Sequence, residues 1–223
     1  MLHRSSPDGA RRRTTPEPGR DRTAARGMLA GLTLLLCAIT PALAGNFPPV
    51  YQLAQETLTH IGQGTARYAR IIPVYDAALY ATPAVPAAQL LDPAAAKRLE
   101  IVYRVAIKAG DLARAAEQVL ARQHPQEWLA RWRTQLDELH AGYRDVQRGD
   151  RYTLTYLPAQ GLWLEFNGER IITVPDAEFA ALYFGIWLGE EPLSEPLRQQ
   201  LVSAAGSAAP PAADACTRPG DVC

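Results

Sequence analysis

A chain of 223 residues that is 48% hydrophobic and 21% charged has the composition of a folded globular protein, with room for one compact domain of ordinary size. Lys plus Arg equals Asp plus Glu at 23 each, which excludes the broad basic field that nucleic-acid binders use against phosphates. Residues 1–44 carry seven arginines and three acids, leaving sixteen basic and twenty acidic residues, a net charge of −4, in the remainder. Nucleic acid and anionic membrane surfaces are poorer partners still for that part.

Residues 28–40, MLAGLTLLLCAIT, are apolar and uncharged, follow an Arg-rich stretch ending at Arg26, and precede PALAG. The pattern is that of a secretory signal peptide, with Ala42 and Ala44 as the small residues before a cleavage site. The apolar run is shorter than the roughly 20 residues a spanning helix needs, so the reading is cleavage near Ala44 and export, to the periplasm, without stable membrane insertion. An uncleaved anchor is the alternative. Leu36 precedes Cys37 where a lipoprotein signal needs a small residue, so Cys37 reads as part of the apolar run. Translation can begin at Met1 or at Met28. The expected division is a signal with an extended Arg-rich start over 1–44, one domain over 45–203, and an Ala/Pro/Gly-rich tail over 204–223. Cys216 and Cys223 lie in that tail, where export permits a disulfide between them.

Along the exported part, LTHIGQGTARYARIIPVYDAALY from Leu58 to Tyr80 reads as two strands around a break at Gly62 and Gly64. RLEIVYRVAI, residues 98–107, alternates as a half-buried strand does. Asp111 can cap a helix whose Leu112, Ala115, Ala116, Val119 and Leu120 share a face. His124-Pro125 interrupts it, and a second helix then aligns Trp128, Trp132, Leu136 and Leu139. Strand grammar returns at DRYTLTYLP, where Tyr152, Leu154 and Tyr156 alternate with Arg151, Thr153 and Thr155. GLWLEF and ERIITV flank Asn167-Gly168, a pair suited to a type I′ turn. Asp176 can cap an apolar helix ending at Gly189, and Ser194 a short last one. Clustered strands with intervening helices favour an α+β fold, an antiparallel sheet with helices over one face.

Chemical motifs are few. Gly62-Gln63-Gly64-Thr65-Ala66-Arg67 begins like a dinucleotide fingerprint, but Arg67 replaces the third glycine and a strand follows it, so no nucleotide cofactor is expected. His60, His124 and His140 show no metal-ligand spacing, and no metal is expected. No G-x-S-x-G is present, which disfavours a serine hydrolase. Acidic pairs such as Asp137-Glu138 sit where helix-surface charges belong.

The strings GQGTARYARIIPVYDAALYAT, RLEIVYRVAIKAGDLARAAEQVL, GDRYTLTY, GLWLEFNG and ALYFGIWLGEEPLSEPLRQQL together resemble the bacterial, exported branch of the chalcone isomerase-like superfamily over Gln55 to Leu201. That resemblance implies an open-faced β-sandwich, a curved antiparallel sheet under a layer of helices with the ligand cleft between them. Plant chalcone isomerases cyclise a phenolic chalcone with an arginine assisted by polar side chains, and Arg67 stands in that arginine's place. The threonine's place falls at Tyr75, the tyrosine's and asparagine's near Leu112 and Val119, and the last hydroxyl's near Ile186. Such apolar replacements remove electrostatic preorganisation and make the cleft lipophilic, as in the fatty-acid-binding members of the family.

The expected ligand-binding set is therefore Arg67, Tyr75, Leu112, Val119, Tyr183 and Ile186, taking a small amphipathic anion such as a fatty acid without catalysis. An isomerase acting on an enone is the alternative, with Arg67, Tyr75 and Tyr103 as candidate catalytic residues. A structural envelope protein docking through Trp128 and Trp132 is a third. Arg67 itself can be an anion clamp or an ordinary surface arginine, with Arg70 a rival for the same role.

Overall fold

Side chains alternating between two faces run through seven antiparallel strands, hydrogen-bonded in chain order β1 to β7. The computed structural model describes residues 47–207; the signal segment, Cys37, Cys216, Cys223 and most of the tail lie outside them. The strands are β1 Val50–Leu53, β2 Glu56–Tyr68, β3 Ile72–Ala81, β4 Lys97–Tyr103, β5 Arg151–Leu157, β6 Gly161–Phe166 and β7 Glu169–Val174. Between β4 and β5 the chain forms α1 Ala109–Gln123, α2 Gln126–Leu129, a 3-10 turn Ala130–Trp132 and α3 Arg133–Ala141. After β7 come α4 Ala177–Leu188 and α5 Glu195–Leu201. The α+β architecture is the expected one.

The main core lies between the sheet and the helices. Tyr75, Ala77 and Leu79 of β3, Leu99, Ile101 and Tyr103 of β4, and Leu154 and Tyr156 of β5 point into it, spaced by two as the pleat requires. Val119 and Leu120 of α1 and Phe179, Tyr183, Phe184 and Ile186 of α4 meet them. Burying each such Leu, Ile or Phe side chain contributes about 1.5–3 kcal/mol. Helix α4 is apolar nearly all round because α1 covers the side that the sheet does not.

Thr153 and Thr155, which alternate with the core residues of β5, are buried as well. The opposite face of the sheet is covered too: the sheet curls so that Tyr51 of β1 reaches across to donate its hydroxyl to Glu100 of β4. Leu58, Ala78, Tyr80, Ala96, Leu157 and Trp163 form a second, smaller apolar cluster there, roofed by Phe47, Tyr51 and Leu53. Within it Glu100 is shared by Arg98 and Arg151, and Arg98 also binds Glu165 at 2.9 Å. The paired charges satisfy one another, which is the condition for burying them.

Several boundaries differ from expectation. Strand β2 continues through Gly62 and Gly64 with only a register irregularity between His60 and Gly62, and the turn falls at residues 69–71. The glycines serve close packing: a Cβ on Gly62 would lie 2.2 Å from the Gln200 carbonyl oxygen, so α5 rests directly on the β2 backbone. Strand β4 ends at Tyr103, and of its expected continuation only Ile107 pairs, as a bridge to Val146. Asp111 does not cap α1, which starts at Ala109; Asp145, from the loop after α3, accepts from the Ala109 N–H at 2.9 Å. The second expected helix is broken into α2, the 3-10 turn and α3. Local signals were obeyed elsewhere: Asn167 (φ 50°) and Gly168 (φ 85°) make the β6–β7 turn, and Asp176 and Ser194 accept from the Phe179 and Leu197 amides.

Candidate functional site

The seam between sheet and helices holds an aromatic cluster with polar tips. Tyr75 and Tyr103 stand directly opposite one another on β3 and β4, ring centres 5.8 Å apart. Being paired positions on one face, they send their side chains in parallel toward the helices. Tyr103 meets Tyr152 of β5 at 6.1 Å, and Tyr152 meets Tyr143 at 5.4 Å. From the helix side Trp187 of α4 donates its indole N–H to the Tyr75 hydroxyl at 3.1 Å. Tyr183, one turn earlier, shares a hydrogen bond of 2.5 Å with the Tyr143 hydroxyl. Spacing of four places Tyr183 and Trp187 on one face of α4.

Burial dominates the electrostatics. It pushes the Tyr75 phenol up to about 12 and raises Tyr103, Tyr143 and Tyr183 as well. All four therefore stay protonated at neutral pH and act as hydrogen-bond donors rather than phenolate bases. Among the described residues Tyr103 has no hydrogen-bond partner, and Tyr75 accepts from Trp187 without an acceptor for its own proton. His140 stacks on Tyr143 at 5.6 Å and leaves its buried Nε2 unpaired. Burial lowers its pKa despite Glu117 at 3.6 Å from Nδ1, so the imidazole is neutral at pH 7.

The expected residues divide in two. Tyr75, Val119, Tyr183 and Ile186 are buried at the seam, and Leu112 is half-buried beside it. Tyr103 belongs to the same cluster. Arg67 stands apart: it is exposed on the β2–β3 hairpin, opposite Pro73 and two residues along β3 from Tyr75, and its guanidinium reaches the Ile71 carbonyl at 3.3 Å. It does not enter the seam: Ala66, the residue before it, packs into the core, and the pairing with β3 shifts register between the two. Arg70 is exposed as well, in the turn itself.

Sequence reasoning missed Tyr143 and His140. His140 lies at the end of α3 and Tyr143 just beyond it; the sequence marks His140 only as a metal-ligand candidate, and no motif marks Tyr143. Trp132 is buried and Trp128 half-buried, stacked on His124 at 4.4 Å, so the two do not form an exposed stripe.

Two surface grooves lie elsewhere. One, of about 810 Å³, runs between α1, α4 and the segment 87–93; the other, of about 590 Å³, lies between α1 and the α2–α3 segment. Neither is lined by any of the expected site residues. Trp187 is hydrogen-bonded to Tyr75 across the seam. Among the described residues no cluster of three metal-ligating side chains occurs, and no helix is long and apolar enough to cross a membrane.

Comparison with known proteins accounts for this architecture. The family model described as chalcone isomerase-like matches residues 43–203. A search of the curated proteins returned no match. Among solved structures, a fatty-acid binding protein of Arabidopsis thaliana superposes with a TM-score of 0.59 at 15% identity, covering 72% of this chain and 93% of that one. At that identity the likeness speaks to the fold. The chain belongs to the chalcone isomerase-like family.

Proposed function

We propose that this domain binds a small amphipathic carboxylic acid, such as a fatty acid, at the seam between sheet and helices, without transforming it. The observation that carries the reading is the pair of buried phenols, Tyr75 and Tyr103, whose protons have no acceptor among the described residues. Neither proton is committed to an acceptor within the protein, so each is available to a ligand oxygen. A carboxylate oxygen would accept from both. The apolar side chains of Leu112, Val119 and Ile186, with the Tyr183 ring, would enclose the tail. Arg67, two residues from Tyr75 at the adjacent hairpin, would swing from the Ile71 carbonyl to complete the anion's contacts. Entry requires Trp187 to release Tyr75. Family membership supports the reading, as does the fold shared with the fatty-acid binding protein of Arabidopsis thaliana. Export to the periplasm belongs to the same proposal and rests on residues 28–44.

Mass spectrometry of an organic extract of gently purified protein, followed by titration with a fatty-acid series, tests it. Arg67→Leu, which removes an exposed guanidinium, should weaken binding of the acid by about 1 kcal/mol and leave a neutral ester's affinity unchanged. No extracted lipid and no measurable affinity across the series would sink the proposal. The same phenol donors could instead polarise an enone carbonyl in an intramolecular addition, which is the second reading. A rate above background for any chalcone or related enone, abolished by Tyr103→Phe, would replace binding with catalysis.

A further inference from the structure

The β2–β3 hairpin is where large apolar side chains escape cover. Tyr68 is 71% exposed, Ile71 73% and Ile72 50%, so three of the five exposed large apolar residues in the described chain fall within five consecutive positions. The turn between them is unusual in composition. Ala69 has φ 49° and Arg70 φ 67°, and the Ile71 amide donates to the Tyr68 carbonyl at 3.2 Å. The connection between the paired Tyr68 and Ile72 is three residues long, and consecutive left-handed positions within such turns ordinarily take Asn or Gly, for which that backbone is cheap. Here an alanine and an arginine accept the strain, which places a guanidinium at the apex.

Both arginines of the tip are free of carboxylates. Arg67 touches only the Ile71 carbonyl, and Arg70 has no side-chain partner among the described residues. The acid nearest in sequence, Asp76, is held by Arg104 at 2.7 Å and by the Thr65 hydroxyl at 2.7 Å. We propose that this hairpin tip docks on the surface of an anionic phospholipid bilayer. Isoleucines enter the acyl boundary, a tyrosine sits with its hydroxyl at headgroup level, and arginines pair with lipid phosphates. A six-residue tip is too small to bury the ~800 Å² per partner of an ordinary protein interface, whereas a fluid bilayer closes round a small convex wedge. The net −4 charge of residues 45–223 does not oppose this, because charges more than about 8 Å away are screened at physiological ionic strength. Docking would also bring Tyr75 and the seam toward lipid. The inference needs no free fatty acid and stands independently of what the seam binds.

The test uses the full chain with phosphatidylcholine vesicles containing phosphatidylglycerol and no added fatty acid. Hydroxyl-radical oxidation of Tyr68, read by mass spectrometry, reports contact at the tip and is blind to contact made by residues before 47. Oxidation of Tyr68 should fall several-fold on these vesicles and recover in phosphatidylcholine alone or in high salt. In the Arg70→Ser/Ile71→Asp variant, half-protection of Tyr68 should require roughly tenfold more lipid, with an unchanged melting temperature because the altered side chains are exposed. Unchanged Tyr68 oxidation on vesicles, or equal protection in wild type and variant, would overturn the proposal. Equal protection of Tyr68 by a soluble polyanion such as heparin would overturn the lipid assignment.

Discussion

Trp187 donates its indole N–H to the Tyr75 hydroxyl at 3.1 Å, joining two residues 112 positions apart and tying the last turn of α4 to the start of β3. It is the polar latch across an otherwise apolar seam. Trp187→Phe keeps most of the ring packing but leaves Tyr75 without its donor, and should cost about 1 kcal/mol of stability. If the latch also bars entry, ligand association should become faster in the variant. Chemical denaturation and stopped-flow binding measure the two effects, and a slower association would show that Trp187 forms part of the pocket.

Tyr103→Phe separates a ligand-facing hydroxyl from a structural one. Since that hydroxyl has no partner among the described residues, its removal should leave stability unchanged within about 0.5 kcal/mol or raise it slightly. Affinity for a carboxylate should nevertheless fall by about 1–2 kcal/mol, the worth of one hydrogen bond to a charged acceptor. Isothermal titration with a fatty acid, beside a thermal melt, reads both. A destabilised variant with unaltered affinity would assign the hydroxyl to the fold.

Gly62→Ala places a methyl group 2.2 Å from the Gln200 carbonyl oxygen and 2.4 Å from that of Leu201. Both obstacles are backbone, so α5 must move away from β2. The expected loss is about 3 kcal/mol or more, at the upper end for overpacking. Gly168→Ala, where nothing lies within 4 Å but φ is +85°, should cost only about 1 kcal/mol. Urea denaturation of the pair checks the ordering.

Lys97 is fully buried on the helix side of β4, its amine on the Asp92 and Ala95 carbonyls and 4.6 Å from the Tyr156 ring centre. Burial lowers its pKa to about 8, Asp92 opposing weakly. Between about pH 8 and 10 the unfolded chain holds this proton more tightly than the folded one, so stability should rise with pH. Above about pH 10 the buried tyrosines reverse the trend, because their raised pKa values make the folded chain the stronger proton binder there. In Lys97→Met the alkaline rise should vanish while the later decline remains. Denaturant melts across that pH range decide it; an identical profile in the variant would place the titration elsewhere.

Sequence by itself determined what depends on neighbours in the chain. Asn167-Gly168 makes its turn, Asp176 and Ser194 cap their helices, and alternation along β4 and β5 selects their side of the main core, because each acts through backbone within a few residues. The α+β class and the family resemblance follow from the order of such segments. Tertiary structure alone decided whatever needed a distant partner. Gly62 and Gly64 look like a break in the sequence, yet they are the floor on which α5 rests. Asp145 displaces Asp111 as the group that meets the first amide of α1. That Thr153 and Thr155 are buried like the residues they alternate with depends on the second face being covered, where Arg98 donates to Thr155 and packs on the Tyr51 ring. Tyr143 and His140 join the phenol cluster only because the chain leaving α3 brings Tyr143 against Tyr152 of β5, and Arg67, recognisable by its place in a motif, is exposed on the hairpin outside the seam. Local hydrogen bonding and periodicity are written into short stretches of text, whereas the burial and pairing of a polar group depend on which remote surfaces fold against it.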